Sequence, residues 1–300
     1  MPSLSRRSLL AGAAGALVLA ACGDDDDAAD TTTTGPAGTG EDGTAPAGDL
    51  VLGEAFDRNR LLVAGIPQRA AYLLFVSSGG LVRPDEAPDT LTFEVETEDG
   101  DPIGTADVAR HGDDIDRAYY PLAMTFPAPG IHKVKTTVDG AALESLVAVN
   151  DTTTITIPQV GDPLPAPPTP TLALPLDTQT ICTRDPACPF HGASLEAVVG
   201  SAPVAFIIST PAYCNTQICG PVLDLLVDAA PSQSGLTFVH LEVYPYGAPP
   251  DAPASAIVTD AFALTYEPVL FVADATGAVT ARLDNIWDGT ELAAALATVA

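Results

Sequence analysis

The chain has 300 residues, 47% apolar and only 17% charged, and its 39 acidic residues against 12 basic ones give a net charge of −27. That length holds two modest domains with connecting segments, and the apolar content is enough for packed cores, so a wholly disordered chain is excluded. Contacts to phosphate need Lys and Arg, so the charge balance also excludes nucleic acid as a partner.

Residues 1–21 read as an export signal. Arg6 and Arg7 form a charged start, Leu9 to Ala20 is an uncharged apolar run, and the small Ala20 and Ala21 precede Cys22. The run is too short to span a bilayer, which takes about 20 apolar residues. Ser5-Arg6-Arg7-Ser8-Leu9-Leu10 resembles the bacterial twin-arginine signal, and Leu19-Ala20-Ala21-Cys22 resembles a bacterial lipobox. The resemblance implies lipidation of Cys22 and an extracytoplasmic protein, lipid-anchored to the bacterial cell membrane. Residues 22–48 follow with Asp24 to Asp27, Thr31 to Thr34 and then Gly, Pro and Ala, a composition with little to bury, and are expected to be a disordered tether.

Residues 49–157 have the pattern of short strands. The runs Ala71–Val76, Leu91–Glu96, Tyr120–Phe126, Ile131–Val138 and Leu143–Val149 are separated by turn residues, as in Pro127-Ala128-Pro129-Gly130 and Val138-Asp139-Gly140. Thr92-Phe93-Glu94-Val95-Glu96 alternates as a strand with one wet face does. About seven strands without an amphipathic helix predict an all-β, immunoglobulin-like sandwich. His111, Met124 and His132 are scattered through it and read as surface and core residues rather than copper ligands. Residues 158–176 contain Pro158, Pro163, Pro165, Pro167, Pro168, Pro170 and Pro175, and predict a semi-rigid, extended linker.

Residues 177–300 change period. Val204 to Ile208 is a continuous apolar run, as a strand buried on both faces requires. A helix is predicted after it, with Ile218, Val222, Leu225, Leu226 and Ala229 on one face. Next come a strand at Leu236–Val243, a short helix at Ala256–Leu264, and a hairpin of Pro268–Ala273 with Ala278–Leu283. A last helix follows, capped by Thr290 or Gly289. The order β-α-β-α-β-β-α is that of an α/β thioredoxin core. Cys219-Gly220-Pro221 at a helix start resembles the redox site of thioredoxin-like proteins, and Glu267-Pro268-Val269 resembles that family's cis-proline. The phrases TPAYCNTQICGPV, HLEVY and EPVLFV resemble an actinobacterial group of thioredoxin-fold lipoproteins.

The resemblance implies redox chemistry at Cys214 and Cys219, with Pro268 beside them. The chain departs from the family in one respect: four residues, not two, separate the cysteines, which changes the loop that a disulfide would close. Cys214 follows the strand as an attacking cysteine does, whereas Cys219 has the Cys-Gly-Pro context near the helix N-terminus, where the dipole favours a thiolate. The reading takes Cys214 as attacker and Cys219 as resolver. Cys182 and Cys188 form an upstream pair, expected as a structural disulfide; Cys188 and His191, spaced C-x-x-H, are read alternatively as metal ligands or as a relay to the main pair. Three pairings of these four cysteines are open.

The leading function is a membrane-anchored extracytoplasmic thiol–disulfide oxidoreductase with no cofactor, acting on protein thiols and disulfides in the cell envelope. One alternative is a copper-binding protein that uses Cys214, Cys219 and His191 or His240, of which His240 reads rather as a strand bystander. Another is a non-catalytic binding or scaffold protein whose cysteines only staple the fold. A peroxiredoxin is disfavoured, because Thr210-Pro-Ala-Tyr-Cys214 has one residue too many for T-x-x-C.

Overall fold

The computed structural model describes residues 50–249 and 251–299. The export signal, Cys22 and the 22–48 tether lie outside the described residues. No helix of the described residues is long and apolar enough to cross a membrane.

Seven strands make up the first half. They are β1 (Leu50–Glu54), β2 (Pro67–Val76), β3 (Thr90–Thr97), β4 (Pro102–Ala109), β5 (Tyr120–Thr125), β6 (Gly130–Val138) and β7 (Ala141–Val149). They form two sheets, β1-β2-β5 and β4-β3-β6-β7, in a sandwich-like arrangement with every pairing antiparallel. The alternation read in the sequence is the inward face: Leu91, Phe93 and Val95 of β3 are buried while Thr92 and Glu94 are exposed. Tyr72 of β2 sits between Phe56 and Phe93, with ring centroids 5.6 and 5.3 Å away. Burying each such ring contributes about 1.5–3 kcal/mol. Asp139 and Gly140, both at positive φ, join β6 to β7 in a two-residue hairpin, the turn whose twist matches the strands.

The second half contains α1 (Leu195–Val198), β8 (Val204–Ile208), α2 (Cys219–Ala229), β9 (Thr237–Leu241), β10 (Val269–Ala273), β11 (Val279–Asp284) and α3 (Gly289–Leu296). Its sheet runs β11-β10-β8-β9, with β8 and β9 parallel and the other pairs antiparallel. Every residue of β8 and of β10 is buried, as the unbroken apolar runs require. Helix α2 packs through Val222, Leu223 and Leu226.

Three expectations change. The predicted helix at Ala256–Leu264 is only a π turn over Ile257–Ala261, where the adjacent β-branched Ile257, Val258 and Thr259 are poor helix formers. The cap of α3 is Asp288, whose side chain accepts from the Glu291 amide, not Gly289 or Thr290. The proline-rich stretch, expected as a semi-rigid, extended linker, is tied to the sheet. Its non-proline residues bond along β11 and the turn before it: the Gly161 amide donates to the Val279 carbonyl, Leu164 to Gly277, and Val279 back to Asp162, at 2.8–2.9 Å. Leu164 and Thr169 are buried, and Thr169 exchanges hydrogen bonds with Ser194 and Leu195 at the start of α1. Proline keeps the segment extended, and the residues between the prolines supply the polar and apolar contacts that strap it down.

Candidate functional site

The loop between β8 and α2 carries the first site. A turn at Thr210–Tyr213 reverses the chain, Gln217 takes a left-handed conformation that lets its amide reach the Cys214 carbonyl, and α2 starts at Cys219. The four-residue spacer thereby brings Cys214 and Cys219 together as a disulfide with Cα atoms 6.0 Å apart, inside the range such a bond accepts. Cys219 is fully buried, whereas Cys214 is partly exposed. The Cys219 amide, at the helix start, points at the Cys214 sulfur from 3.4 Å, and the Thr216 hydroxyl lies 3.3 Å from the same sulfur. No side chain caps α2, and its first turn holds no acidic residue. The helix N-terminus is thus aimed at sulfur, where it stabilises a thiolate.

Cys214 lines a groove of about 330 Å³ with Tyr213, Tyr244, Glu267 and Asn285. The Glu267–Pro268 peptide is cis, the geometry that the resemblance implies. Burial pushes the Glu267 carboxyl up to about 7, against the pull of a hydrogen bond from the Thr210 backbone. Its Oε2 has no hydrogen-bond partner. The sequence reading missed Glu267: a lone glutamate before a proline carries no signal of burial.

The upstream cysteines form a second cluster. Cys182 and Cys188 are free, so the expected structural disulfide between them is not formed. Two imidazoles converge on their sulfurs instead. Cys188 Sγ lies 3.2 Å from His191 Nε2 and 3.3 Å from His240 Nδ1, while Cys182 Sγ is 3.9 Å from His240 Nδ1. The two imidazole nitrogens are 3.3 Å apart. The backbone explains the convergence: Thr183 donates to Glu242, Leu172 to the His191 carbonyl, and His240 to the Phe190 carbonyl, tying the loop against the edge strand β9. A hydrogen bond between the two thiols lowers Cys182 and raises Cys188, and burial raises Cys188 further. Burial also raises Glu242. His240 is held above its ordinary value: burial opposes its charge, but Cys182, Glu242 and the Ser209 carbonyl outweigh it.

The residues weighed for copper do not assemble as a set. His191 belongs with Cys182, Cys188 and His240, and Cys214 and Cys219 are bonded to each other. His240 is no bystander, because its β9 position turns the ring into this cluster. Of the scattered sandwich residues, His132 is buried against Phe126 and Met124 packs on the core. His111 pairs with Asp288 at 2.8 Å. Compared with known protein families and with curated proteins, the sequence matches none of them.

Proposed function

We propose that residues 177–300 are a thioredoxin-like domain that performs thiol–disulfide exchange outside the cytoplasm, carried on an immunoglobulin-like sandwich and anchored by lipid at Cys22. The observation that carries this reading is the Cys214–Cys219 disulfide at the start of α2, with Cys214 partly exposed and Cys219 buried. Support for the fold comes from the β11-β10-β8-β9 order, its parallel β8–β9 pair, and the position of Pro268 at the head of β10. The partners are protein thiols and disulfides of the cell envelope.

In the oxidising direction a substrate thiolate attacks Cys214 Sγ, on the more accessible of the two cysteines. A bond forms between substrate and Cys214, the Cys214–Cys219 bond breaks, and its electron pair leaves on Cys219 at the helix N-terminus. A second substrate thiolate then attacks the substrate sulfur and releases Cys214 as a thiolate, held by the Cys219 amide. Substrate is oxidised to a disulfide and the protein is reduced to the dithiol. The reducing direction is the reverse, with Cys214 as attacker. Glu267, on the groove wall and tuned near 7, supplies or accepts the accompanying proton.

The test is oxidation of a reduced peptide dithiol by the purified chain. The wild type is expected to turn it over in a glutathione buffer, and the Cys214→Ser/Cys219→Ser double variant is expected to be inert. Equal rates in both would leave the pair a staple and make a scaffold the better reading.

A further inference from the structure

Four ligand-type atoms from Cys182, Cys188, His191 and His240 lie within 4.8 Å of one another in the interior, beside but distinct from the Cys214–Cys219 pair. Three of the four residues are buried and the fourth, Cys182, is half-buried. Together they offer two soft sulfurs and two nitrogens. An S₂N₂ set of this kind is a zinc donor set, closed by protein ligands alone.

The distances carry the argument. A zinc ion takes sulfur at about 2.3 Å and nitrogen at about 2.0–2.1 Å, so the edges of its tetrahedron are about 3.3 Å for N···N and about 3.5 Å for S···N. The edges in the structure are 3.3 Å between the imidazoles, 3.2 and 3.3 Å from Cys188 to each, and 3.9 Å from Cys182 to His240. Three of these edges therefore stand at coordination spacing, the fourth is slightly longer, and all four atoms lie within 4.8 Å of one another.

The orientation of His240 is right as well, whereas His191 Nδ1 is buried without a hydrogen-bond partner. His240 Nε2 lies 2.9 Å from the Ser209 carbonyl, which only accepts, so this nitrogen bears the proton and Nδ1 presents its lone pair to the cluster. A carbonyl behind the ring is the usual partner of a metal-bound histidine. The Cys188 amide donates to Cys182 Sγ from 3.4 Å, a contact that favours thiolate. Charge closes too: binding one zinc displaces two thiol protons, and two thiolates with Zn²⁺ leave a neutral buried centre, which the interior tolerates far better than an unpaired charge.

We infer that Cys182, Cys188, His191 and His240 bind one zinc ion, which clamps the 182–191 loop to β9. The ion also keeps these two thiols out of disulfides while Cys214 and Cys219 oxidise. Ser209, which holds His240, lies at the exit of β8 towards Cys214, so the clamp borders the base of the redox loop.

The experiment titrates zinc chloride into the reduced full-length chain after removal of the reductant, alongside the Cys214→Ser/Cys219→Ser variant. Both are expected to retain one zinc per chain through gel filtration. In the variant, two thiols should resist alkylation until a chelator removes the metal. Cobalt(II) should replace zinc and give the visible ligand-field and near-ultraviolet thiolate bands of a tetrahedral site. Cys188→Ser and His191→Ala should each weaken zinc by more than the roughly 10–100-fold that losing an outer partner costs. If either variant misfolds, alkylation and the cobalt spectrum of the unaltered ligand set still decide. A stoichiometry of zero, loss of zinc in the Cys214→Ser/Cys219→Ser variant alone, preferential retention of Cu(I), or a Cys182–Cys188 disulfide formed despite zinc would overturn the assignment. Exchange activity is not read, so this result and the fate of the exchange reaction are independent.

Discussion

Arg69 of β2 grips both carboxylate oxygens of Glu291 in α3 at 2.6 and 2.7 Å, across 222 residues of sequence. Its remaining donors reach the Asp284 and Ile286 carbonyls, and the Tyr119 hydroxyl donates to the same carboxylate at 2.6 Å. Burial opposes charge on the guanidinium, but Glu291 more than offsets it and holds Arg69 above its usual value. The sandwich and the sheet that carries the cysteines are joined through this pair.

Both side chains are mostly but not fully buried, and removing one partner of such a pair strands the other charge, at a cost approaching the ~3–5 kcal/mol of a fully buried pair. Arg69→Ala is expected to lower stability by that amount in urea unfolding. The double change Arg69→Met with Glu291→Leu should recover most of it. An Arg69→Ala loss below about 1 kcal/mol would show that the pair is solvated and joins nothing.

Glu267 makes stability depend on pH. Its folded value of about 7 lies above the 4.5 of a free carboxyl, so between these values the folded chain binds more protons than the unfolded one. The contribution is full below about pH 4.5 and is lost as pH rises through 7, a change of about 3 kcal/mol. Denaturant midpoints measured at pH 5 and pH 8.5 should fall for the wild type and change less in Glu267→Gln by that margin. Parallel curves for the two proteins would remove Glu267 as the cause.

The strap over β11 should matter as core does. Leu164 is buried there, and truncating a buried leucine costs about 2–5 kcal/mol, so Leu164→Ala should destabilise by that much. Limited proteolysis of the wild type should spare residues 158–171 until global unfolding. Rapid cleavage there under native conditions would show that the strap is not held against β11.

Local patterns in the sequence announced local structure. The polar–apolar alternation of Thr92 to Glu96 is the wet and dry faces of β3, and the apolar run at Val204–Ile208 is a strand buried on both sides. Cys214 and Cys219 were legible because strand, loop and helix start are contiguous. What required the fold was what long separations bring together. Periodicity places His240 on a strand, but only the packing of residues 182–191 against β9 shows that its ring meets two sulfurs. Proline content likewise reports backbone conformation and is silent on whether Leu164 finds a pocket. Arg69 and Glu291 were invisible as a pair for the same reason.

The most direct measurement of the central claim is trapping of the mixed disulfide with a peptide disulfide substrate, read by mass spectrometry. In Cys219→Ser the partly exposed Cys214 has no resolving thiol, and the account predicts a stable adduct mapped to Cys214. In Cys214→Ser the remaining Cys219 is fully buried and should give little or none. Adducts on Cys182 or Cys188, or equal trapping at Cys219, would contradict the assignment of Cys214 as the exchanging sulfur.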